Sequence, residues 1–382
     1  MVVGRSTGGI GMHVGQLTEE LRRLGHEVTL VTDPGTADRF GWPDALRWWP
    51  VDGGARRRPR PLRWLGRIRL LGGMRLLGRM RLLGRMRRLF AGADVVHAHG
   101  LQAAALASAS MAAIRRRRRP RFVMSLHNAV LPGGARATVA AAVERLVVRA
   151  ADLVTGASSD LVARAAELGA GAAELAPVPS PRVVTLLGHG VPSPEERSAL
   201  VATLLPGEVS ELPLVLTISR IAPQKSLEVL VSAAGALQTP VVWAVLGDGD
   251  RDLLAELEQS AAGTGVRFLG VRADVDSWLR AATVLVLPSA WEARALVVQE
   301  AMAAGTPVVA TDVGGLPELV AQAGVLVPVA SPAALAGAVD ELLGDPERGA
   351  ELSRRGRREA RSWADGEGIA RQWVSWYAHD PT

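Results

Sequence analysis

Residues 282 to 316, ATVLVLPSAWEARALVVQEAMAAGTPVVATDVGGL, read as strand, loop, helix and strand, a succession that a sheet of strands overlaid by helices accommodates. ATVLVL is a continuous apolar run of strand length. From Ala295 to Ala304 good helix formers follow one another without a break, Gly305 is a natural C-terminal stop, and TPVVAT reads as the next strand. Two acids stand eight positions apart in this otherwise apolar text. Glu292 falls in the loop after Pro288 and Ser289, at the carboxyl end of its strand, where open parallel sheets bind ligands. Glu300 is the lone acid of an apolar helix, where an ionised carboxylate is costly unless it meets donors; a pair of sugar hydroxyls would supply them. The helix start between Ala293 and Leu296 offers unpaired backbone N–H groups and a positive dipole end, which suit a diphosphate. Taken singly, each Glu is better read as an exposed loop or helix-edge acid; it is the pairing and its flanks that point to a site.

The same alternation runs through the chain. MVVGRSTGGIGMHVGQLTEELRRLGHEVTLVTD reads as a short strand, a glycine loop, a helix from about His13 to Leu24 and a second strand. Gly8, Gly9 and Gly11 allow close backbone approach to a ligand ahead of a helix N-terminus, a weak signal on its own. PLVLTIS opens a second alternating unit after the proline-rich stretch from Val191 to Pro213, which is the expected hinge. The expected division is 1–196 and 197–362, two doubly wound α/β domains, followed by a helix over 363–382. In that last piece Trp373, Trp376 and Tyr377 form one apolar stripe.

With 382 residues and 48% apolar content the chain can bury two ordinary cores. It has no cysteine, which removes disulfides and thiolate metal sites. Neither a leader nor an apolar run of bilayer length is legible, so a cytoplasmic protein is expected, with the inner face of the membrane as its one candidate surface. The net charge of +6 is unevenly placed: residues 53 to 93 carry 13 Arg and no acid, so the remainder is net acidic. Within that insertion the text repeats every six residues from Ile68, as IRLLGG, MRLLGR, MRLLGR and MRRLFA. Six residues turn a helix by about 600°, so no single apolar face forms. The segment reads as a loop expansion solvated by its arginines, or as a basic apolar patch for anionic lipid. Nucleic acid is not expected, because Trp64 and Phe90 are its only aromatics.

Of the 44 basic residues 43 are Arg, and the one lysine is Lys225. A lysine in a composition that so disfavours it suggests that a compact ammonium is wanted there. Arg220 ends a strand five residues earlier, so both cations are expected within reach of one anion. His97 and His99 end the strand ADVVHAHG and are expected on opposite faces, with no metal between them; His127 ends RFVMSLH.

Pro288-Ser289, Glu292, Glu300-Ala301-Met302-Ala303 and Gly305-Thr306-Pro307-Val308-Val309 resemble the signature of the retaining glycosyltransferases of family four. GHEVTLVT, ADVVHAHG and the alternating pairs of the second half are also similar to that family, over nearly the whole chain except 34–93 and 172–212. The resemblance implies a GT-B fold, two Rossmann-like domains facing a cleft, with the last helix crossing back to the first. It implies that Glu292 lies beside the donor sugar and Glu300 holds the nucleotide ribose. Arg220 and Lys225 would neutralise the donor diphosphate, and Gly8 and Gly9 would face it. His127 would contact the sugar, and backbone at Gly270 and Val271 would read the base. In place of the family's Gly-Phe-Gly this chain has Ala293, Arg294 and Ala295, so their amides remain available while their side chains narrow the space. The expected activity is metal-independent transfer of a sugar from a nucleotide sugar, with no cofactor, to an acceptor the sequence does not identify. The alternative is a non-catalytic relative recruited to membrane or nucleic acid by the arginine segment; Glu292, Glu300, Lys225 and His127 together favour the enzyme. A dinucleotide dehydrogenase is disfavoured, since no strand-bound GxGxxG with a following ribose acid is present.

Overall fold

A computed structural model describes residues 1–6, 8–47, 82–129, 134–176, 178–207, 212–363 and 365–378. The chain divides into two compact units, Met1–Pro177 with Gly366–Thr382, and Val178–Asp365. The first holds a seven-stranded sheet of order β3-β2-β1-β4-β5-β6-β7 and the second a six-stranded sheet of order β10-β9-β8-β11-β12-β13. The strands of the first unit are β1 Val2–Val3, β2 Val31–Thr32, β3 Leu46–Arg47, β4 Val95–His99, β5 Arg121–Leu126, β6 Leu153–Gly156 and β7 Ala173–Leu175. Those of the second are β8 Leu214–Ile218, β9 Val242–Leu246, β10 Val266–Phe268, β11 Val284–Leu287, β12 Val308–Thr311 and β13 Gly324–Val327. Every pairing is parallel. Both sheets reverse their strand order once, between β1 and β4 and between β8 and β11, and the loops leaving those strands flank the crevice where this class of sheet takes ligands.

Parallel strands need helical crossovers, which cover both faces and demand apolar side chains on each. In the second unit Leu214, Leu216, Leu285 and Leu287 pack into one core layer, and Val215, Trp243, Val284 and Val286 into the other. The helices Leu227–Ala234 and Pro332–Gly344 close the second layer; Val275–Ala281 and Leu296–Ala304 close the first. In the first unit the helix Gly9–Arg23 and the C-terminal helix Gly366–Ala378 pack together through Leu17, Leu21, Ile369, Ala370 and Trp373. The last helix thus belongs to the first unit.

The division between units falls at 177/178, earlier than the expected 196/197. The stretch read as a hinge contains a helix, Pro194–Leu204, opened by a capping box of Ser193 and Glu196. That helix buries Val201 in the second unit's core, and its Arg197 donates to the carbonyl of Arg280 at 3.3 Å. Prolines at N1 and outside the helix are compatible with it, so proline content alone does not mark a hinge. Most of the arginine insertion, 53–81, lies outside the described residues. Its last piece is no solvated expansion: residues 82–90 are helical, with Met86 and Phe90 buried. Among the described residues no helix is long and apolar enough to cross a membrane.

Arg357, on the helix Pro346–Ser362, is buried without a carboxylate partner among the described residues. It donates instead to Ala303 O at 2.7 Å, Leu187 O at 2.9 Å and His189 O at 2.9 Å. These carbonyls end the helices Leu296–Ala304 and Arg182–Gly188, so two negative dipole ends balance one cation. Arg357→Met should destabilise the second unit by about 3 kcal/mol, because several buried carbonyls lose their donor together. Urea unfolding checks it, with exposed Arg361→Met, expected within about 0.5 kcal/mol of the parent, as the control.

Candidate active site

In the second unit two loops leave the strands at the order reversal. The loop after β8 carries Arg220 and Lys225, and the loop after β11 carries Glu292. Gln224 joins them: its carbonyl accepts from Ala290 N at 2.9 Å and its side-chain Nε2 donates to Trp291 O at 2.8 Å. With the loops so tied, Lys225 Nζ donates to Glu292 Oε1. Ser289 Oγ donates to the same oxygen at 2.8 Å, and Ser289 is itself held by Thr311 Oγ1, which donates to its carbonyl at 2.6 Å. Glu292 Oε2 has no partner among the described residues.

Both loops rest on glycines. Gly314 adopts φ +55°, and a Cβ there would stand 1.9 Å from Glu292 O, a carbonyl that also accepts from Gly315 N. A Cβ on Gly249 would meet Ile221 O at 2.1 Å, so the turn after β9 can lie against the loop of Arg220 only because no side chain intervenes. Arg220 is exposed and makes no ion pair among the described residues.

Glu292 is followed by buried Ala293 and Ala295, and the helix Leu296–Ala304 begins without a side-chain cap, leaving its first amides for a ligand. Arg294 turns aside: its guanidinium lies over Trp363 at 5.5 Å from the ring centroid, and burial lowers its pKa, opposed by Glu318 and Glu359. Glu300 has found protein donors. Ser180 Oγ donates to its Oε1 at 2.6 Å and Arg182 pairs with its Oε2 at 3.5 Å, while Arg182 also reaches Asp276 at 3.5 Å. Neighbouring Gln299 accepts from Ser180 N at 3.2 Å and donates to Val178 O at 2.8 Å, so the helix is buttoned to the segment 178–182. Burial raises the Glu300 pKa, opposed by the Ser180 hydrogen bond and by Arg182. Val271 stands exposed just past β10, next to Gly270, whose carbonyl accepts from Gly247 N at 2.9 Å.

In the first unit Gly8 and Gly9 open the helix that carries His13, and a Cβ on Gly8 would meet nothing. Gly11 serves packing instead of a ligand, since its Cβ would stand 2.2 Å from Phe40. His97 and His99 do not point to opposite faces: residues two apart in a strand share a face, and their rings lie 4.0 Å apart. His99 Nδ1 and His127 Nε2 are hydrogen-bonded at 3.1 Å, and the ring of His13 stands edge-on to both at 5.9 Å. His97 is fixed at both nitrogens, by Tyr377 OH at 2.7 Å and Ser125 Oγ at 2.7 Å. Desolvation holds all four imidazoles neutral, with His13 lowered to about 4, His127 to about 3, and His97 and His99 well below the ordinary value. Among the described residues no group of three or more His, Asp or Glu is arranged to hold a metal ion.

The sequence reading missed Gln224, Ser289, Ser180, Arg182, Gln299 and Tyr377. Only Ser289 had a local signal, three residues before Glu292; the others depend on contacts between distant segments.

Residues 212–345 match the family described as glycosyl transferases group 1, and residues 8–181 that described as glycosyl transferase 4-like domain. The α-maltose-1-phosphate synthase of Mycolicibacterium smegmatis is 36% identical over 266 residues, 62% of this chain and 65% of that one. The D-inositol 3-phosphate glycosyltransferase of Jonesia denitrificans is 34% identical over 173 residues, 41% of each. The chain thus spans less than two thirds of the length of either relative. Among solved structures, Anabaena HepE in complex with UDP and glucose shares the fold with a TM-score of 0.76 at 20% identity, covering 98% of each chain. Sucrose-phosphate synthase from Thermosynechococcus elongatus does so with a TM-score of 0.74 at 22% identity, also over 98% of each. The fold is GT-B.

The raised pKa of Glu300 fixes the sign of a pH effect. A carboxyl more basic when folded than unfolded takes up protons on folding, so its destabilising contribution is absent below the ordinary value of 4.5 and complete above the folded value. Glu300→Gln lacks this contribution. The melting temperature of the variant minus that of the parent should therefore be more positive at about pH 7.5 than at about pH 4.5. Parallel melting curves at both pH values would contradict the burial assigned to this carboxyl.

Proposed function

The chain belongs to the glycosyl transferases group 1 family, and from that premise we propose that it moves a sugar from a nucleotide diphosphate sugar to an acceptor hydroxyl, with retention at the anomeric carbon and without a metal ion. The observation that carries the reading is the clustering of Arg220, Lys225, Glu292 and the uncapped start of the helix Leu296–Ala304 on two tied loops at one strand-order reversal. A leaving diphosphate needs countercharge and donors, and here are two cations and a helix N-terminus.

In the proposed reaction Lys225, Arg220 and the amides from Ala293 to Leu296 take the diphosphate. Glu292 offers Oε2 to a sugar hydroxyl. The resemblance assigns Gly8, Gly9 and His127 of the first unit to donor binding as well. Glu300 accepts from the ribose, sharing its oxygens with Ser180 and Arg182, and the backbone at Val271 meets the base. The bond from the anomeric carbon to the diphosphate oxygen breaks as the acceptor oxygen attacks on the same face. The acceptor's proton passes to the departing phosphate oxygen, so no protein base is consumed. A structure of the same fold holds UDP-glucose, which puts that donor first among those to test.

Lys225→Ala should lower kcat by about 10²- to 10³-fold, because it removes charge facing the diphosphate; the melting temperature should also fall, since Glu292 loses its cation, with the variant still folded at the assay temperature. The parent is first screened against a panel of nucleotide sugars by release of nucleoside diphosphate. Release from none of them, or equal turnover by the variant, would sink the assignment.

We further propose that the arginine insertion holds the enzyme against an anionic membrane face, where the acceptor is lipid-linked or a cell-envelope glycan. Each arginine near such a surface is worth on the order of 1 kcal/mol, weakened by salt. Deletion of residues 62–81, which spares the packed helix over 82–90, should abolish flotation with anionic vesicles at low salt and leave donor turnover in place. Equal flotation of parent and deletion would make the repeats a solvated expansion.

A further inference from the structure

Four imidazoles lie together in the first unit, and the proposed reaction uses only His127. What the others do follows from counting ring protons. A neutral imidazole has one N–H and one bare nitrogen, and which is which is set by its partners. Along the short contact one of two arrangements holds: His99 Nδ1–H donates to His127 Nε2, or His127 Nε2–H donates to His99 Nδ1.

The far nitrogen of His99 separates them. Its Nε2 is buried and has no partner among the described residues. In the second arrangement that atom carries a proton, a buried donor with nothing to bond. In the first it carries only a lone pair, the less costly orphan, because buried N–H groups without acceptors are the rarer defect. Turning the ring by 180° offers no escape, because it would set Cδ2 of His99 against His127 Nε2 and lose the bond between them. His97 lies against a face of His99 at 4.0 Å, and His13 stands edge-on at 5.9 Å. His97 in turn is pinned by Tyr377 and Ser125 and lies tilted against Trp373 at 4.4 Å.

We propose that His99 is a positioning residue that fixes the tautomer of His127, so that His127 presents Nδ1–H to its ligand as a hydrogen-bond donor and does not serve as a base. The group it meets is then an oxygen acting as acceptor, such as a sugar hydroxyl oxygen. The neutral state that burial imposes on both rings agrees with this. That His127 meets a sugar at all rests on the function proposed above; the tautomer itself rests on the contacts alone.

The test is long-range ¹H–¹⁵N correlation on the full chain labelled with ring-¹⁵N histidine, its seven histidines distinguished by single substitutions. In the parent, His127 should show a protonated Nδ1 and an unprotonated Nε2. His99→Leu removes the donor, so the unprotonated Nε2 of His127 should lose its hydrogen bond and its ¹⁵N signal should move toward that of a bare ring nitrogen. His99→Asn, whose amide can take the place of Nδ1–H, should restore the parent pattern. A protonated Nε2 on His127 in the parent, or an unchanged His127 signal in His99→Leu, would overturn the proposal. In transfer assays kcat should fall about tenfold for His99→Leu, with the donor KM within about twofold, and recover in His99→Asn. Melting curves confirm that both variants are folded. Should the parent transfer no sugar at all, the proposed function fails while the tautomer result stands on its own.

Discussion

The contact between the Lys225 ammonium and the Glu292 carboxylate is where the second unit's sheet, loops and composition converge. The sheet supplies two adjacent strands, β8 and β11, whose connections leave in opposite directions and open a crevice. Gln224 closes the two loops onto each other, and the missing side chains of Gly249 and Gly314 let their neighbours approach from behind. The ion pair by itself is a weak source of stability, since each charge has given up water. It does hold two charged groups at fixed places, which under the proposed function leaves little to reorganise when a diphosphate arrives.

The two units handle polarity in opposite ways. The second keeps charges: a lysine on a glutamate, an arginine shared between Glu300 and Asp276, and a buried Arg357 balanced by helix ends. At its histidine cluster the first does without them, although elsewhere it buries Glu144 against Arg164. Its histidines are packed so closely against one another and against Trp373 and Tyr377 that none can take a proton without loss. Such groups contribute stability that is present above their ordinary pKa and fades as pH falls below it. A cluster built this way offers directed neutral hydrogen bonds, and the tied loops of the second unit offer charge.

Much of this was legible in the text. The helix and strands around Glu292 and Glu300 follow from periodicity and from Gly305, and the sites of Lys225 and Arg220 follow from strand ends. What escaped was of two kinds. One was an error of period, which set His97 and His99 on opposite faces although residues two apart in a strand share one. The other was contact between segments far apart in sequence: Ser180 on Glu300, Gln224 on Trp291, Tyr377 on His97. Tyr377 belongs to the apolar stripe that its spacing indicates, but its hydroxyl has a partner that no local pattern names. The division at 177/178 escaped for a similar reason, because the proline-rich stretch holds a capped helix that packs within the second unit.

The choice of lysine at 225 in a chain that otherwise uses arginine now has a geometric reason. Lys225 and Ser289 both donate to Oε1 of Glu292, and Oε2 has no partner among the described residues. A guanidinium in the same place would tend to lie flat against the carboxylate and take both oxygens through its paired N–H groups. That arrangement would hold the acid more firmly and leave it nothing to offer. An ammonium is a point donor: it satisfies one oxygen, keeps further protons of its own, and leaves the other oxygen facing whatever enters. The same three-proton head can hold Glu292 and an incoming anion at once, whereas a fork matched to the carboxylate would have to let go of one to take the other.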